Sequence, residues 1–146
     1  MKIFIERIDK TLRDFNLEKD SNLRKYSLNI VNYVFEIKHL EQQEFIFPFL
    51  FKVSKATEHD LECFSDSVYL LVNEKVNFFN QKFHYYNEYY DDWEEYSSDK
   101  FSKSMISNVF IHPISGEEIN QKVYFDIIQP YFIASKELLE EQNGLQ

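Results

Sequence analysis

Glycine is nearly missing from this chain: two occur in 146 residues, Gly116 and Gly144. Tight hairpins draw on Gly, Asn or Asp at positive φ, most often as Asn-Gly or Asp-Gly. The single Asn-Gly, at Asn143, lies in the terminal tail, so an all-β fold is not expected. The same scarcity leaves no Gly-rich phosphate loop, and neither Cys-x-x-Cys nor Gly-x-Ser-x-Gly occurs. One cysteine, Cys63, excludes an internal disulfide, and a reducing, cytoplasmic compartment is the expectation. No apolar run approaches the ~20 residues of a membrane span; the longest, Phe45 to Phe51, contains Pro48. The start, Met1-Lys2-Ile3-Phe4-Ile5-Glu6-Arg7, turns charged too soon for a secretory leader. Positive charge is also short. Sixteen Lys and Arg stand against 25 Asp and Glu, a net charge of -9, with no basic cluster of five or more. Direct binding to nucleic acid or to an anionic membrane is therefore not expected.

Helical spacing is plentiful. Ile5, Ile8, Leu12 and Phe15 recur at three and four, which predicts a first amphipathic helix. Leu23, Tyr26, Ile30, Tyr33, Ile37 and Leu40 alternate steps of three and four, close to a heptad seam, with Asp20 or Ser21 as its cap. Phe45 to Phe51 reads as a buried bend followed by a short helix, because Pro48 suits neither a central strand nor a helix interior. Thr57, with Asp60 three residues on, predicts the start of a long helix whose apolar face runs through Leu61, Phe64, Val68, Val76, Phe79, Phe83 and Tyr86 to Tyr90. A hairpin over Val68 to Phe79 around Asn73-Glu74 ranks second, for want of a glycine.

Ser97-Ser98-Asp99 reads as a break or cap, followed by a short helix or irregular stretch from Lys100 to Phe110. His112-Pro113-Ile114-Ser115-Gly116 is a loop by its Pro and Gly. Ser115 with Glu118 forms a capping box. Ile119, Val123, Ile127, Tyr131 and Leu138 predict a last helix, kinked or split at Pro130 and ended by Glu140 to Gly144. The expectation is an all-α protein: one domain over residues 1–146, a single helical bundle of about five or six helices.

Four histidines offer candidate chemistry, of which His112, before Pro113, is a loop residue with no partner in the sequence pattern. Glu36 and His39 have the Glu-x-x-His spacing of carboxylate-bridged di-metal bundles, but the second copy such a site needs does not occur. His59-Asp60 resembles the metal-binding doublet of HD-type phosphohydrolases, a likeness of one dipeptide; it implies a metal-dependent phosphohydrolase with His39 and Asp91 or Asp92 as further ligands. His84 and Glu88 stand four apart, which on a helix makes an ion pair. Cys63, four residues after His59, reads as a structural thiol. Asp91-Asp92-Trp93-Glu94-Glu95 offers oxygens for calcium without the sharp Gly turn of a calcium loop. No catalytic residue, metal or cofactor is expected.

The strongest feature lies between Phe83 and Asp99. It holds six acids (Glu88, Asp91, Asp92, Glu94, Glu95, Asp99), seven aromatics (Phe83, Tyr85, Tyr86, Tyr89, Tyr90, Trp93, Tyr96) and no Lys or Arg. Like charge in one block repels itself and suits a basic partner. Aromatics supply rigid contact area. The candidate partner-binding residues are Glu88, Tyr89, Asp91, Asp92, Trp93, Glu94, Glu95, Tyr96 and Asp99. Read as a helix, the block puts the acids on one face and the aromatics on another. A small, acidic, aromatic-rich chain without a catalytic motif looks like the general style of bacterial toxin-immunity proteins, or of phage-encoded inhibitors. That resemblance implies a non-enzymatic protein that inhibits a basic protein partner such as a nuclease-type toxin. The alternatives are the phosphohydrolase and a self-associating scaffold subunit joined through the seam from Leu23 to Leu40.

Overall fold

The computed structural model describes residues 1–144. Among them are seven α-helices: α1 (Lys2–Asp14), α2 (Ser21–Phe35), α3 (Phe47–Ser54), α4 (Leu61–Val72), α5 (Ser98–Ser107), α6 (Gln121–Ile127) and α7 (Lys136–Gly144). Five strands accompany them: β1 (Phe79–Asn87), β2 (Asp92–Tyr96), β3 (Phe110–Ile111), β4 (Glu118–Ile119) and β5 (Gln129–Ala134). The fold is mixed α/β, which corrects the all-α bundle. One sheet has the order β2–β1–β5 and the other pairs β3 with β4. The chain divides into two compact units, one of Met1–Asn80 with the segment from Phe132 on, the other of Gln81–Tyr131.

The first unit is helical. On α1, Phe4, Ile8, Thr11 and Leu12 are buried. Asp20 caps α2, its carboxylate accepting from the Leu23 N–H at 3.0 Å. The seam predicted from Leu23 to Leu40 lies largely inside this unit: Leu23, Tyr26, Ile30 and Leu40 are buried in its core, and Tyr33 alone of the six is exposed. The face proposed for self-association is thus already covered. Pro48 stands in the first turn of α3, where its missing N–H costs no helical bond. Ahead of it, Phe45 exchanges backbone bonds with Phe132 at 2.8 and 2.7 Å, so the bend and short helix are as expected.

The long helix expected from Thr57 is shorter. Thr57 makes no side-chain cap, a 3-10 turn spans Glu58–Asp60, and α4 stops at Val72. Asn73 accepts from the Lys75 N–H at 2.9 Å and Asn77 takes φ +55°, turning the chain out of the helix. Val76, Phe78 and Phe79 then enter the core. The last helix is split more deeply than a kink: Pro130 stands in β5, a terminal strand of its sheet, where a missing donor is tolerated.

The second unit has its own small core of Phe83, Tyr96, Phe110, Tyr124 and Ile128. Ser97 caps α5, accepting from the Lys100 N–H at 3.4 Å. The capping box at Ser115 and Glu118 is not a helix start: Glu118 is in β4, Gly116 takes φ +74° in the β3–β4 loop, and Asn120 caps α6 instead. Residues 79–87 and 92–96 form an antiparallel hairpin rather than one helix. Tyr, Phe and Trp favour a pleated, half-buried surface, and Asn and Asp supply the turn that glycine would otherwise make.

Candidate functional site

The acidic aromatic block is the end of the β1–β2 hairpin. Register pairs Phe83 with Tyr96, His84 with Glu95, Tyr85 with Glu94, Tyr86 with Trp93 and Asn87 with Asp92. Residues 88–91 are left as the connecting loop. Two short polar side chains shape it. Asn87 accepts from the Tyr89 N–H at 3.0 Å, an Asx turn, and Asp91 takes φ +51°, a conformation Asp adopts more readily than most residues.

Strand alternation sorts the side chains differently from the expected helix. On one face lie Phe83, Tyr85 and Asn87 with Tyr96, Glu94 and Asp92. Glu94 is committed there, accepting from the Tyr85 hydroxyl at 2.6 Å and from the Asn87 amide at 3.1 Å. That bond, more than burial, pushes the Tyr85 phenol up to about 12. Tyr96 is buried, and its hydroxyl accepts from Tyr124 at 3.1 Å. Burial first, and then this bond, pushes Tyr124 up to about 12. On the other face lie His84, Tyr86, Trp93 and Glu95. The His84 ring stacks on Trp93 at 4.2 Å and on Tyr131 at 4.5 Å, and Tyr86 meets Trp93 edge-on at 5.6 Å.

Of the nine predicted residues, Glu88, Tyr89, Asp91, Asp92, Trp93 and Glu95 therefore share the exposed end of the hairpin. Among the described residues Glu88 and Asp91 have no ion pair, and Glu95 is 4.0 Å from Lys82. Glu94 and Tyr96 are structural, and Asp99 sits in the first turn of α5, where a carboxylate favours the helix N-terminus. Sequence reasoning left out Tyr90. Tyr89 and Tyr90 are 83% and 75% exposed, far more than Trp93 at 48%. The run Asn87-Glu88-Tyr89-Tyr90-Asp91, with a turn-forming residue at each end, was the available signal.

Two clefts of this unit share His112, Ile114 and Ser115 in their walls. One, of about 610 Å³, is completed by Tyr86, Glu88, Tyr89 and Ile127 and so belongs to the hairpin end. The other, of about 540 Å³, carries Lys100 and Lys103 from α5. The loop between them is held by the His112 ring, whose Nδ1 accepts from the N–H groups of Ile114 at 3.1 Å and Ser115 at 3.2 Å.

The remaining constellations serve structure. Asp60 of the His59-Asp60 doublet accepts from the Tyr26 hydroxyl at 2.6 Å and from Asn22 at 3.3 Å, which lifts the Tyr26 phenol to about 12. His59 is exposed. His39 is a left-handed residue ahead of a 3-10 turn, and Glu36 caps the end of α2. Burial and the neighbouring carboxylates of Asp20, Asp60 and Asp66 push the Cys63 thiol up to about 11, which disfavours the thiolate. His84 and Glu88 stand in a strand and its loop, so the helical pairing between them does not form. Among the described residues no three His, Cys, Asp or Glu are grouped to hold a metal ion, and no helix is long and apolar enough to cross a membrane. No family model matches the chain, and no curated protein or solved structure matches it significantly.

Proposed function

We propose that this is a non-enzymatic, cytoplasmic binding protein that docks the end of its β1–β2 hairpin on a basic protein surface and blocks it. The observation that carries the reading is the pairing, in one loop, of two highly exposed tyrosines with Glu88 and Asp91, carboxylates that have no cation of their own among the described residues. Adjacent exposed aromatics rimmed by charge are a composition found at protein–protein interaction sites. The negative field of Glu88, Asp91, Asp92 and Glu95 steers a cationic partner and sets the association rate. Tyr89, Tyr90 and Trp93 supply contact area with little rotamer entropy to lose. The cleft of Tyr86, Glu88 and Tyr89 has the chemistry to receive one Lys or Arg side chain over aromatic faces. A nuclease-type toxin, whose own cleft must be cationic to hold phosphates, is the partner class that fits.

The test uses the fluorescence of Trp93, the single tryptophan of the chain. Titration with an arginine-rich decapeptide, and then with basic nuclease toxins, is expected to change the emission with an affinity that falls as salt rises. Replacing Glu88, Asp91, Asp92 and Glu95 by Gln or Asn slows association and flattens the salt dependence. Trp93→Ala removes that fluorophore, so its complex is followed by surface plasmon resonance, where a shorter lifetime is expected, a loss on the order of 2 kcal/mol. Unchanged affinity in the fourfold charge variant removes the hairpin from the interface.

A further inference from the structure

The cleft on the other side of the His112 loop calls for the opposite ligand. In a chain with nine more negative than positive charges, none of the residues lining this cleft of about 540 Å³ is Asp or Glu. Lys100 and Lys103 both line it from α5, three residues apart and so on neighbouring positions of one helical face. Among the described residues neither lysine has a carboxylate within ion-pair distance, although Arg7, Arg24, Lys2, Lys75 and Lys82 all do. Apolar walls come from Val109, Ile111 and Ile114, side chains that stay 43%, 40% and 37% exposed. His112 adds a donor. Its Nδ1 already accepts two backbone N–H groups, which leaves the proton of the neutral ring on Nε2. Donors at one side and aliphatic surface at the other are the ordinary composition of a small-molecule pocket.

We infer that this cleft binds a small amphipathic anion, one with an apolar body and a single carboxylate, phosphate or sulfonate head. The head lies with Lys100 and Lys103, the two free ammonium groups of the cleft. The body covers Val109, Ile111 and Ile114 and removes them from water. A cationic or dianionic polar ligand fits less well: the first meets two ammonium groups, and the second leaves the aliphatic wall uncovered. The inference is independent of the hairpin reading, because Glu88, Tyr89, Asp91 and Asp92 take no part in it.

The probe is naphthalene-2-sulfonate, followed by amide chemical shifts in the full-length protein. The expected result is a saturable one-to-one shift confined to Tyr96 and residues 100–116. Naphthalene-2-methylammonium, of the same apolar body and opposite charge, binds at least fivefold more weakly. The double variant Lys100→Gln with Lys103→Gln weakens the sulfonate at least fivefold, and its unshifted amides elsewhere report an intact fold. Both lysines are exposed, so folding is not at stake. Three results overturn the proposal: no saturable shift at millimolar probe, a loss of less than fivefold in the double variant, or equal binding of the cationic comparator. Failure here leaves the hairpin test untouched, since that test reads a basic peptide on Trp93.

Discussion

The two units use their aromatic residues in different ways. The core of the first is built from phenylalanine and aliphatic side chains, with Phe4, Phe45, Phe64, Phe78, Phe79 and Phe132 all buried. The core of the second turns on tyrosine: Tyr96 and Tyr124 are buried with their hydroxyls bonded to each other. Seven of the ten tyrosines (Tyr85, Tyr86, Tyr89, Tyr90, Tyr96, Tyr124, Tyr131) fall in this second unit. A phenylalanine ring contributes only by leaving water and packing. A tyrosine keeps a polar tip, so it serves in a small core only where that tip is bonded, and at a surface it stays soluble. The first core is accordingly almost wholly apolar, whereas the second depends on a bonded pair of hydroxyls.

The sharpest break of that contrast is Phe78→Ala. Phe78 is fully buried and meets the rings of Phe4 at 5.2 Å and Phe79 at 4.8 Å. Its removal should cost about 3–5 kcal/mol in denaturant unfolding followed by helical circular dichroism. In the second unit Tyr124→Phe keeps the ring and deletes the hydroxyl. It should cost about 1–2 kcal/mol, because the Tyr96 hydroxyl loses its buried partner; Trp93 emission reads the transition. A cost in Tyr124→Phe equal to that of Phe78→Ala would end the distinction between the two cores.

A smaller effect tests the Arg7–Glu137 ion pair of the first unit. Arg7 holds Glu137 with two bonds of 2.7 and 2.5 Å, and Asn77 adds a third at 3.1 Å. The Arg7 bond first, then that of Asn77, lowers the Glu137 carboxyl from 4.5 to about 2. A depressed carboxyl stabilises the fold above its unfolded pKa. That contribution should therefore be complete above about pH 4.5 and lost as pH falls towards 2. With both side chains about a third exposed, solvent screening limits it to about 1 kcal/mol. Glu137→Gln should flatten the acid limb of the stability curve over that window. The smallest effect is expected at the hairpin end. Tyr89→Ser with Tyr90→Ser should change stability by less than about 0.5 kcal/mol per site, since both rings stand in water. A larger loss would show that these rings support the fold and are not spare contact surface.

Much of the first unit was legible because its elements obey one period. Ile8 and Leu12 of the expected α1 stripe are buried, although Phe4 takes the core place given to Ile5 and Phe15 is exposed; Leu23, Tyr26 and Ile30 repeat at three and four, and Asp20 stands where a cap belongs. The second unit was misread because its aromatics satisfy two periods at once. Phe83, Tyr86 and Tyr90 suit a helix, while Phe83, Tyr85 and Asn87 suit a strand, and a block with so many rings cannot be sorted by spacing alone. Glycine scarcity then weighed against hairpins, although six residues other than glycine take positive φ here: Asn16, His39, Lys55, Asn77, Asp91 and Asn108. Four of the six are Asn or Asp, which reach that region at modest cost. Within the acidic block, Glu94 and Tyr96, both offered as partner-binding candidates, are held by Tyr85, Asn87 and Tyr124, pairings that spacing along the chain does not reveal.

What the amino-acid order determined by itself is local: the helices α1 and α2, a cap at Asp20 or Ser21, a break or cap at Ser97 to Asp99, the bend at Pro48, and the charge of the segment from Glu88 to Asp99. Each depends on neighbours within a turn or two of the chain. What only the tertiary structure decided is non-local. Residues 79–87 became a strand because Asp92–Tyr96 was there to pair with it, and 129–134 did so as the neighbour of β1 in the sheet. Strand hydrogen bonds need a partner from elsewhere in the chain, whereas a helix closes its own. The sequence of a segment with both propensities therefore leaves the choice to whatever the rest of the fold brings beside it.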